Sequence, residues 1–189
     1  MTQQFNPLLS HHRPCVIWFT GLSGAGKSTT AQALLERLKQ ERIPSYLLDG
    51  DELRQGLCQG LGFSIEDRQE NIRRIGEAAR LLVDAGLITL VAAIAPLQIM
   101  RDQVRARFGA GDYLEVFIDT PLSTCEARDP KGLYKKARQG ELANFTGVGA
   151  DYEVPQSPEI RLPAGQWTTE QCVTSLMEYL RDANIIHQP

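Results

Sequence analysis

The chain has 189 residues, a net charge of −3 at neutral pH and 42% hydrophobic residues, enough to bury the core of one domain. A slightly negative charge gives no basic field for binding nucleic acid or an anionic membrane. No segment has the roughly 18 continuous apolar residues of a membrane-spanning helix, and the N-terminus lacks the pattern of a signal peptide. The composition therefore predicts a soluble cytoplasmic protein that binds neither nucleic acid nor membranes.

The cysteines and histidines form no pattern typical of a metal site. The histidines His11, His12 and His187 lie near the termini, where solvated or disordered residues are expected. Residues 1–13 are polar and are predicted to form a flexible N-terminus, followed by a single domain over residues 14–189. Four widely spaced cysteines are each expected to pack as a small apolar side chain in a reducing compartment: Cys15, Cys58, Cys125 and Cys172.

A glycine-rich motif behind an apolar run is the clearest functional signal. The run Cys15–Thr20 is typical of a buried strand, and residues 21–28, Gly-Leu-Ser-Gly-Ala-Gly-Lys-Ser, lead into a predicted helix. This order predicts a phosphate-binding loop, in which backbone N–H groups and the helix dipole face one anion. Lys27 is expected to reach the β- and γ-phosphates of a nucleoside triphosphate, and the Ser28 hydroxyl to ligate Mg²⁺. The predicted nucleotide-binding residues of the loop are Gly21, Leu22, Ser23, Gly24, Ala25, Gly26, Lys27, Ser28 and Thr29.

Strands and helices alternate along the rest of the chain. After the first strand, strands are predicted over about residues 45–48, 87–94, 113–118 and 159–162. Helices are predicted over about residues 27–42, 64–85, 96–108, 121–128 and 169–184, with a short helix after Asp51. Ser64 is predicted to cap the helix over residues 64–85, and Thr168 and Gln171 have capping-box spacing at the start of the last helix. The alternation predicts an α/β fold, a five-stranded parallel sheet with helices on both faces. Residues 130–158 combine basic residues with glycines and prolines, which favours a mobile segment.

Acidic residues follow the predicted strands, where ligands bind in parallel α/β sheets. Asp49 and Asp51 flank Gly50 after the second strand, and Asp119 follows the fourth. Two carboxylates beside a phosphate loop can hold Mg²⁺ through water and accept a proton from an attacking hydroxyl. The structural alternative is an aspartate–glycine turn with a helix cap, and capping of the next helix is equally open for Asp119.

Several blocks of sequence carry a specific resemblance when they are taken in order and spacing. They are residues 18–28, 48–51, 61–64, 67–75 and 128–135, then Phe145-Thr-Gly147, Asp151-Tyr-Glu153 and Pro155. Together they resemble adenylyl-sulfate kinase, from about Pro14 to the last helix, and the resemblance implies the P-loop kinase fold. The resemblance implies an enzyme that uses Mg²⁺ and ATP to phosphorylate the 3′-hydroxyl of adenosine 5′-phosphosulfate (APS), giving 3′-phosphoadenosine 5′-phosphosulfate (PAPS) for sulfate activation. It also implies a homodimer.

The resemblance assigns roles to the acidic pair and to the basic segment. Asp51 is implied to be the base that accepts the 3′-hydroxyl proton and Asp49 to order the Mg²⁺ shell, although the two roles can be exchanged. Arg128 is implied to stack on the ATP adenine. Residues 131–138 resemble the family's lid, which lies within about residues 130–158 and whose cations would close over the phosphates.

The resemblance also implies how the acceptor substrate is held. Phe63 and Phe145 would clamp its adenine, because aromatic rings stack on any base. Guanidinium groups match tetrahedral oxyanions, so Arg54, Arg68 and Asn71 would hold the phosphosulfate. The full set of implied substrate-binding residues is Asp51, Arg54, Phe63, Arg68, Asn71, Ile94, Ala95, Lys131 and Phe145.

One departure from the family concerns the loop after the third strand. Family members usually have Ile-Ser-Pro and an aromatic residue where this chain has Ile94-Ala-Pro-Leu97. The family's serine has been proposed to take up phosphate, which Ala95 cannot do. Direct in-line transfer from ATP to the substrate is therefore predicted, and weakened activity is an open alternative.

Two other classes of protein share part of these features. A P-loop kinase of another nucleotide, nucleoside or sugar acid would share the loop, the acids and the lid, but does not need two aromatic platforms beside Arg54 and Arg68. A regulatory P-loop protein would bind nucleotide without transferring phosphate to a small molecule, but the chain has no Asn-Lys-x-Asp guanine-reading motif.

Overall fold

A computed structural model describes residues 12–142 and 144–187. Its strands are β1 (Cys15–Thr20), β2 (Ser45–Asp49), β3 (Ile88–Ala92), β4 (Tyr113–Ile118) and β5 (Ile160–Leu162). Its helices are α1 (Lys27–Gln40), α2 (Gly50–Leu53), α3 (Ile65–Asp84), α4 (Gln98–Arg105), α5 (Leu122–Arg128), α6 (Leu133–Arg138) and α7 (Thr169–Asp182). The predicted alternation of strands and helices is confirmed.

The five strands form one parallel sheet in the order β2-β3-β1-β4-β5. The central strand β1 pairs with β3 on one side and β4 on the other, so that Phe19 lies opposite both Ala92 and Val116. Because all strands run in the same direction, their carboxyl ends meet at one edge. The predicted α/β fold with a five-stranded parallel sheet is confirmed, and this edge carries the predicted functional residues.

Helices cover both faces of the sheet, which explains why β1 is apolar along its whole length. Ile17 and Phe19 belong to the core on one face, together with residues of α1 and α7. Trp18 points to the opposite face and packs in the core formed by α3 and α4. Both cores have fully buried members, so the sheet forms a rigid base for the loops at its carboxyl edge.

The predicted helix boundaries are accurate where a side chain caps the end of the helix, and less accurate at ends without such a cap. Ser64 accepts a hydrogen bond from the Asp67 N–H, and Thr168 and Gln171 form a capping box at the start of α7. The predicted end of α4 at Phe108 is wrong by three residues, because the chain continues beyond Arg105 in a tighter turn with i→i−3 hydrogen bonds.

The prediction that His12 is solvated is wrong. Its side chain is buried, and Nε2 lies 2.8 Å from the Gly86 carbonyl oxygen. The neighbouring Arg13 donates its backbone N–H to Ile185 and forms an ion pair with Asp112, so the C-terminal residues hold this part of the chain. His187 is exposed, as predicted, whereas His11 and the rest of residues 1–11 lie outside the described residues.

The cysteines pack as predicted. All four are free and buried, and burial raises the pKa of Cys15 to about 12, which keeps its thiol protonated and unreactive. In the part of the chain that the structure describes, no helix is both long enough and apolar enough to cross a membrane.

Candidate active site

One cavity of about 740 Å³ opens at the carboxyl edge of the sheet, and most of the predicted site residues lie on its wall. Those on its wall are Ser23, Gly24, Ala25, Gly26, Lys27, Ser28, Thr29, Asp51, Arg54, Phe63, Arg68, Asn71, Ile94, Arg128, Lys131 and Phe145. Four predicted residues are not on the wall: Gly21, Leu22, Asp49 and Ala95. A cavity of this volume is within the usual range for small-molecule sites.

The glycines of residues 21–28 allow a backbone path that other residues would block. A Cβ at Gly21 would lie 2.8 Å from the Ile118 carbonyl oxygen, which is too close for any side chain. Gly26 has φ of +110° and caps α1 in the left-handed conformation. The loop therefore turns sharply out of β1 and directs the N-terminus of α1 towards the cavity, as an anion site requires.

Lys27 is held against the loop that it follows. Its Nζ donates to the carbonyl oxygens of Gly21 at 3.0 Å and Leu22 at 2.7 Å, which gives these two residues an indirect role in the site. Burial lowers the pKa of Lys27 to about 8, against the opposing effect of the nearby Asp51 carboxylate. A partly desolvated ammonium group at the end of a phosphate loop can gain strongly from a nearby anion.

Ser28 and Asp49 form an oxygen pair that fits Mg²⁺. The Ser28 hydroxyl donates to Oδ2 of Asp49 at 2.6 Å, and Oδ1 accepts from the Asp51 N–H at 2.9 Å. Asp49 thus caps α2, the predicted structural alternative, and still presents an oxygen to Ser28. Hydroxyl and carboxylate oxygens are the ligands that Mg²⁺ prefers, and it needs only one or two from the protein when phosphates supply others.

Asp51 is the more open carboxylate of the two. Its side chain is 64% exposed, and its Oδ2 accepts a hydrogen bond from the Lys131 ammonium group. Lys131 precedes α6, so this ion pair joins the predicted lid segment to the turn after β2. Asp51 is therefore exposed to a ligand in the cavity and already contacts the segment that would cover it.

Phe63 lies on the cavity wall next to two cations. Its ring is 46% exposed, and the guanidinium carbons of Arg54 and Arg68 lie 4.6 and 5.5 Å from the ring centroid. Neither arginine forms an ion pair with a carboxylate among residues 12–142 and 144–187. Burial lowers the pKa of Arg68, and the Arg54 cation lowers it further. Two neighbouring cations without a carboxylate partner favour the binding of an anion here.

Asn71 and Phe145 also lie on the cavity wall. Asn71 is buried, and its Oδ1 has no hydrogen-bond partner within the described part of the chain. A buried polar atom of this kind usually has a ligand or a water as its partner. Phe145 is 7% exposed and packs edge-on against Tyr134, with the ring centroids 5.0 Å apart. Both aromatic platforms predicted from the sequence therefore lie on the wall of one cavity.

Tyr134 links the two sides of the site, and sequence reasoning missed this role. Its hydroxyl donates to the Ser23 carbonyl oxygen at 3.0 Å, while its ring supports Phe145. The sequence places Tyr134 in a basic segment, where a tyrosine has no evident partner. The N–H groups of Tyr134 and Lys135 bond to the Asp129 carboxylate, which fixes the start of α6.

Replacing Tyr134 by phenylalanine keeps the ring and removes the hydrogen bond to the phosphate loop. We expect the KM for ATP to rise by about two- to tenfold, the effect of losing one hydrogen bond. Steady-state kinetics at saturating acceptor will measure it. Tyr179→Phe, on α7 away from the cavity, is the control and should leave the KM for ATP unchanged; an equal rise in both variants would contradict the role of Tyr134.

Arg128 lies on the cavity wall beside the phosphate loop. Its guanidinium nitrogens are 3.5 Å from the carbonyl oxygens of Gly24, Ala25 and Ala164. A second group that sequence reasoning missed, Ala164 and Trp167–Thr169, forms the wall here. The capping motif at Thr168 was the only sequence signal in this region, and it indicates a helix start and not a binding site.

Two further predicted positions have a different environment from the one expected. Ala95 is fully buried behind the wall formed by Ile94 and Pro96, so its side chain does not face the cavity. Asp119 forms an ion pair with Arg161 at 2.7 Å, lies outside the cavity wall, and does not cap α5.

Comparison with known proteins identifies the family. A family model described as adenylylsulphate kinase matches residues 13–163. The chain belongs to the adenylylsulphate kinase family. The adenylyl-sulfate kinase of Citrobacter koseri is 56% identical over 186 residues, which cover 98% of this chain and 92% of that one. Both the family resemblance and the P-loop kinase fold predicted from the sequence are thereby confirmed.

Solved structures agree with this assignment to the adenylylsulphate kinase family. The APS kinase of Mycobacterium tuberculosis, solved with AMPPNP and APS, is 46% identical, with a TM-score of 0.83 over 89% of this chain and 98% of that one. A hexameric APS kinase from Thiobacillus denitrificans is 30% identical, with a TM-score of 0.72 over 94% of this chain but 30% of that one. Because that relative is described as a hexamer, the homodimer stays a prediction for this chain.

Proposed function

We propose that this chain transfers the γ-phosphoryl group of ATP to the 3′-hydroxyl of APS, giving PAPS and ADP. The observation that carries the proposal is the cavity that joins the phosphate loop and the acidic pair to the cluster of Arg54, Phe63 and Arg68. A nucleoside phosphosulfate offers a base for the aromatic ring and an anion for the two cations. The name and substrates of the relatives support the same choice.

The nucleotide side of the proposed site uses residues 21–29 and Arg128. The loop N–H groups and Lys27 would hold the β- and γ-phosphates, and Arg128 would lie on the ATP adenine. Ser28 and Asp49 would hold Mg²⁺, which neutralises the charge that develops on the transferred group. The proposal places the chain in the cytoplasm, which its four free, buried cysteines support.

Asp51 is the proposed base. It would accept the proton of the 3′-hydroxyl as the hydroxyl oxygen bonds to the γ-phosphorus, while the bond from that phosphorus to the β,γ-bridging oxygen breaks and ADP leaves. Lys131 contacts Asp51 and would bring the lid, residues 131–138, over the phosphates and exclude water. Transfer is direct in this proposal, because Ala95 carries no hydroxyl and is fully buried.

The acceptor would be held by residues from α2 to the end of the lid. Phe63 and Phe145 would contact the adenine of APS, Arg54 and Arg68 its phosphosulfate, and Ile94 would contact it from the wall. Asn71 has a buried oxygen without a protein partner, which suits a polar group of the substrate.

The test is the formation of PAPS by the unmodified protein with γ-labelled ATP and Mg²⁺, followed by chromatography. We expect label in PAPS and no acid-stable label on the protein when ATP is supplied alone, because Ala95 stands at the position of the family's serine and has no hydroxyl to take up phosphate. A panel of nucleosides, nucleotides and sugar acids runs beside APS. Turnover of one of these acceptors but not of APS would contradict the proposal, and so would nucleotide binding without transfer to any acceptor.

Replacing Phe63 by leucine is expected to raise the KM for APS by about 5- to 200-fold, because stacking on one base contributes about 1–3 kcal/mol. The KM for ATP should stay near that of the unmodified protein, since Phe63 lies on the acceptor side of the cavity. Leu57→Ala removes another exposed apolar side chain and is the control. Equal rises in the KM values for both substrates would contradict the assignment of Phe63 to the acceptor.

A further inference from the structure

A buried arginine behind the cavity holds two separate segments together. Arg101 of α4 is 1% exposed, and its Nη1 donates to the Ala95 carbonyl oxygen at 2.7 Å. Its Nη2 donates to the Glu153 carbonyl oxygen at 2.8 Å. One planar guanidinium group therefore fixes the loop after β3 and the segment after residue 150, which lie more than 50 residues apart in the sequence.

The carboxylate of Glu115, on β4, balances the charge of Arg101. Nε of Arg101 lies 2.8 Å from Oε1 of Glu115, although the N–H is not aligned for a hydrogen bond. Both side chains are almost completely buried, at 1% and 3% exposed. A buried ion pair of this kind contributes little net stability compared with an apolar pair, so stability alone does not explain its presence.

The loop after β3 has its backbone held at three successive residues. The Thr20 hydroxyl donates to the carbonyl oxygen of Ile94 at 2.6 Å, and the Glu153 N–H donates to that of Pro96 at 2.8 Å. Arg101 holds the carbonyl oxygen between them. Tyr152 supports the same arrangement, since its hydroxyl lies 2.9 Å from the Thr20 hydroxyl.

The central residue of this loop adopts a conformation that needs such support. Ala95 has φ of +38°, in the left-handed region that side chains other than glycine rarely adopt. Backbone strain of this kind persists only where the surroundings fix it, and it is concentrated at functional sites. Ile94 and Pro96, on either side, lie on the cavity wall.

The position of this wall in the sheet assigns it to the acceptor side. β3 pairs with β2, and Ala92 at its end lies opposite Asp49. Ile94 and Pro96 follow directly, beside the acidic pair, while Arg128 and Ala164 lie beyond β4 and β5 on the nucleotide side.

We propose that Arg101 is a positioning residue for the acceptor substrate: by holding the backbone of residues 94–97 and 151–153, it sets the wall that the acceptor contacts. The wall is then fixed through main-chain oxygens, without any contribution from the side chain at position 95. The expected effect on the KM for APS rests on the proposed function, whereas the expected effect on the backbone of residues 94–97 and 151–153 does not.

Arg105 provides a matched control on the same helix. It also faces Glu115, with Nη2 and Oε2 3.5 Å apart, and pairs with Glu159 at 2.6 Å. The hydrogen bonds of Arg105 go to Glu159, Glu115 and the Tyr113 carbonyl oxygen, and none goes to the loop after β3. The same replacement at either position therefore disturbs the charges around Glu115, but only the replacement of Arg101 also removes the contact with the loop after β3. The difference between the two variants measures the effect of that contact.

The experiment compares Arg101→Lys with Arg105→Lys. Lysine keeps the positive charge beside Glu115 but lacks the fork that holds two carbonyl oxygens at once. For Arg101→Lys we expect the KM for APS to rise by about tenfold or more, with the KM for ATP within about twofold. Arg105→Lys should leave both KM values within about twofold of the unmodified protein. Similar rises for both substrates, or in both variants, would overturn the proposal.

Hydrogen exchange gives a readout that does not depend on turnover. Without substrate, the amides of Ile94, Ala95, Leu97 and residues 151–154 should exchange faster in Arg101→Lys than in Arg105→Lys, while those of β1 and β4 stay protected. Equal exchange in the two variants would overturn the proposal. If the unmodified protein does not phosphorylate APS, the proposed function fails, and the exchange comparison still decides whether Arg101 fixes the loop.

A second variant keeps the test valid if Arg101→Lys does not fold. Tyr152→Phe removes only the hydroxyl that contacts Thr20 and preserves the ring beside Arg101. We expect it to raise the KM for APS by about two- to tenfold, with the KM for ATP unchanged. An unchanged KM for APS in this variant, with unchanged exchange at residues 94–97, would contradict the proposal.

Discussion

Replacing Lys27 by alanine should lower kcat by about 10³–10⁵-fold, the range found for a cation that stabilises phosphoryl transfer. The ammonium group is aligned by the Gly21 and Leu22 carbonyl oxygens and lies in a partly desolvated site, where charge on the transferred group is costly to leave unbalanced. PAPS formation under single-turnover conditions, with both substrates saturating, measures the loss in the chemical step.

The fold should survive this change. Because burial lowers the pKa of Lys27 from its ordinary value to about 8, folding disfavours the charged form, and at pH 7 the lysine reduces the stability of the free protein. The melting temperature of Lys27→Ala should therefore equal or exceed that of the unmodified protein. Lys39→Ala is the control, an exposed lysine on the same helix, and it should retain full activity. Near-normal kcat in Lys27→Ala would refute the assignment, and a marked fall in melting temperature would contradict the stability argument.

The parts of the site that sequence predicts well are those in which structure is local. The phosphate loop follows from eight consecutive residues, because strand, glycine turn and helix are each determined by near neighbours. The caps at Ser64 and Thr168 are similarly local, and both are confirmed. The sheet follows from the alternation of apolar runs and amphipathic segments, since a parallel strand pair requires a crossover between its strands.

The features that sequence missed depend on contacts between distant residues. In the sequence, Arg101 resembles any charged residue of a helix. Only the fold shows that it pairs with Glu115 of β4 and donates to the Glu153 carbonyl oxygen. Tyr134 is separated by more than 100 residues from the loop carbonyl that it bonds. His12 is buried where it pairs with Ile186 and lies against the Gly86 carbonyl oxygen. The periodicity and the residue spacing of the sequence do not predict these contacts.

The sheet order separates the two substrates of the proposed reaction. β1 carries the phosphate loop at the centre of the sheet, with β3 and β2 on one side and β4 and β5 on the other. The acidic pair and the loop after β3 follow the first two of these strands, whereas Arg128 and Ala164 follow the second two. The γ-phosphate would therefore lie between an acceptor half and a nucleotide half, and Tyr134 bonds the loop while packing against Phe145 of the acceptor half.

Replacing Asp51 by asparagine should lower kcat by about 10²–10⁴-fold while the KM for APS changes little, because asparagine keeps the shape of the side chain and removes its ability to accept a proton. Asp51 also pairs with Lys131, so the loss has a second possible origin in the lid. Lys131→Gln breaks the same ion pair and leaves the base in place. If Asp51 is the base, this control should retain far more activity than Asp51→Asn; equal losses would assign the effect to the ion pair.

Asp49→Asn distinguishes the two carboxylates through the metal. Its Oδ2 accepts from the Ser28 hydroxyl, so its replacement should raise the Mg²⁺ concentration needed for half-maximal activity, and saturating Mg²⁺ should restore much of kcat. Asp51→Asn should show no such rescue, since a missing proton acceptor is not replaced by the metal. Mg²⁺ titrations of both variants, with Asp119→Asn as a control outside the cavity, measure this difference. Rescue of Asp51→Asn but not of Asp49→Asn would exchange the two roles, and full activity in both variants would reduce the Asp49-Gly50-Asp51 turn to a helix cap.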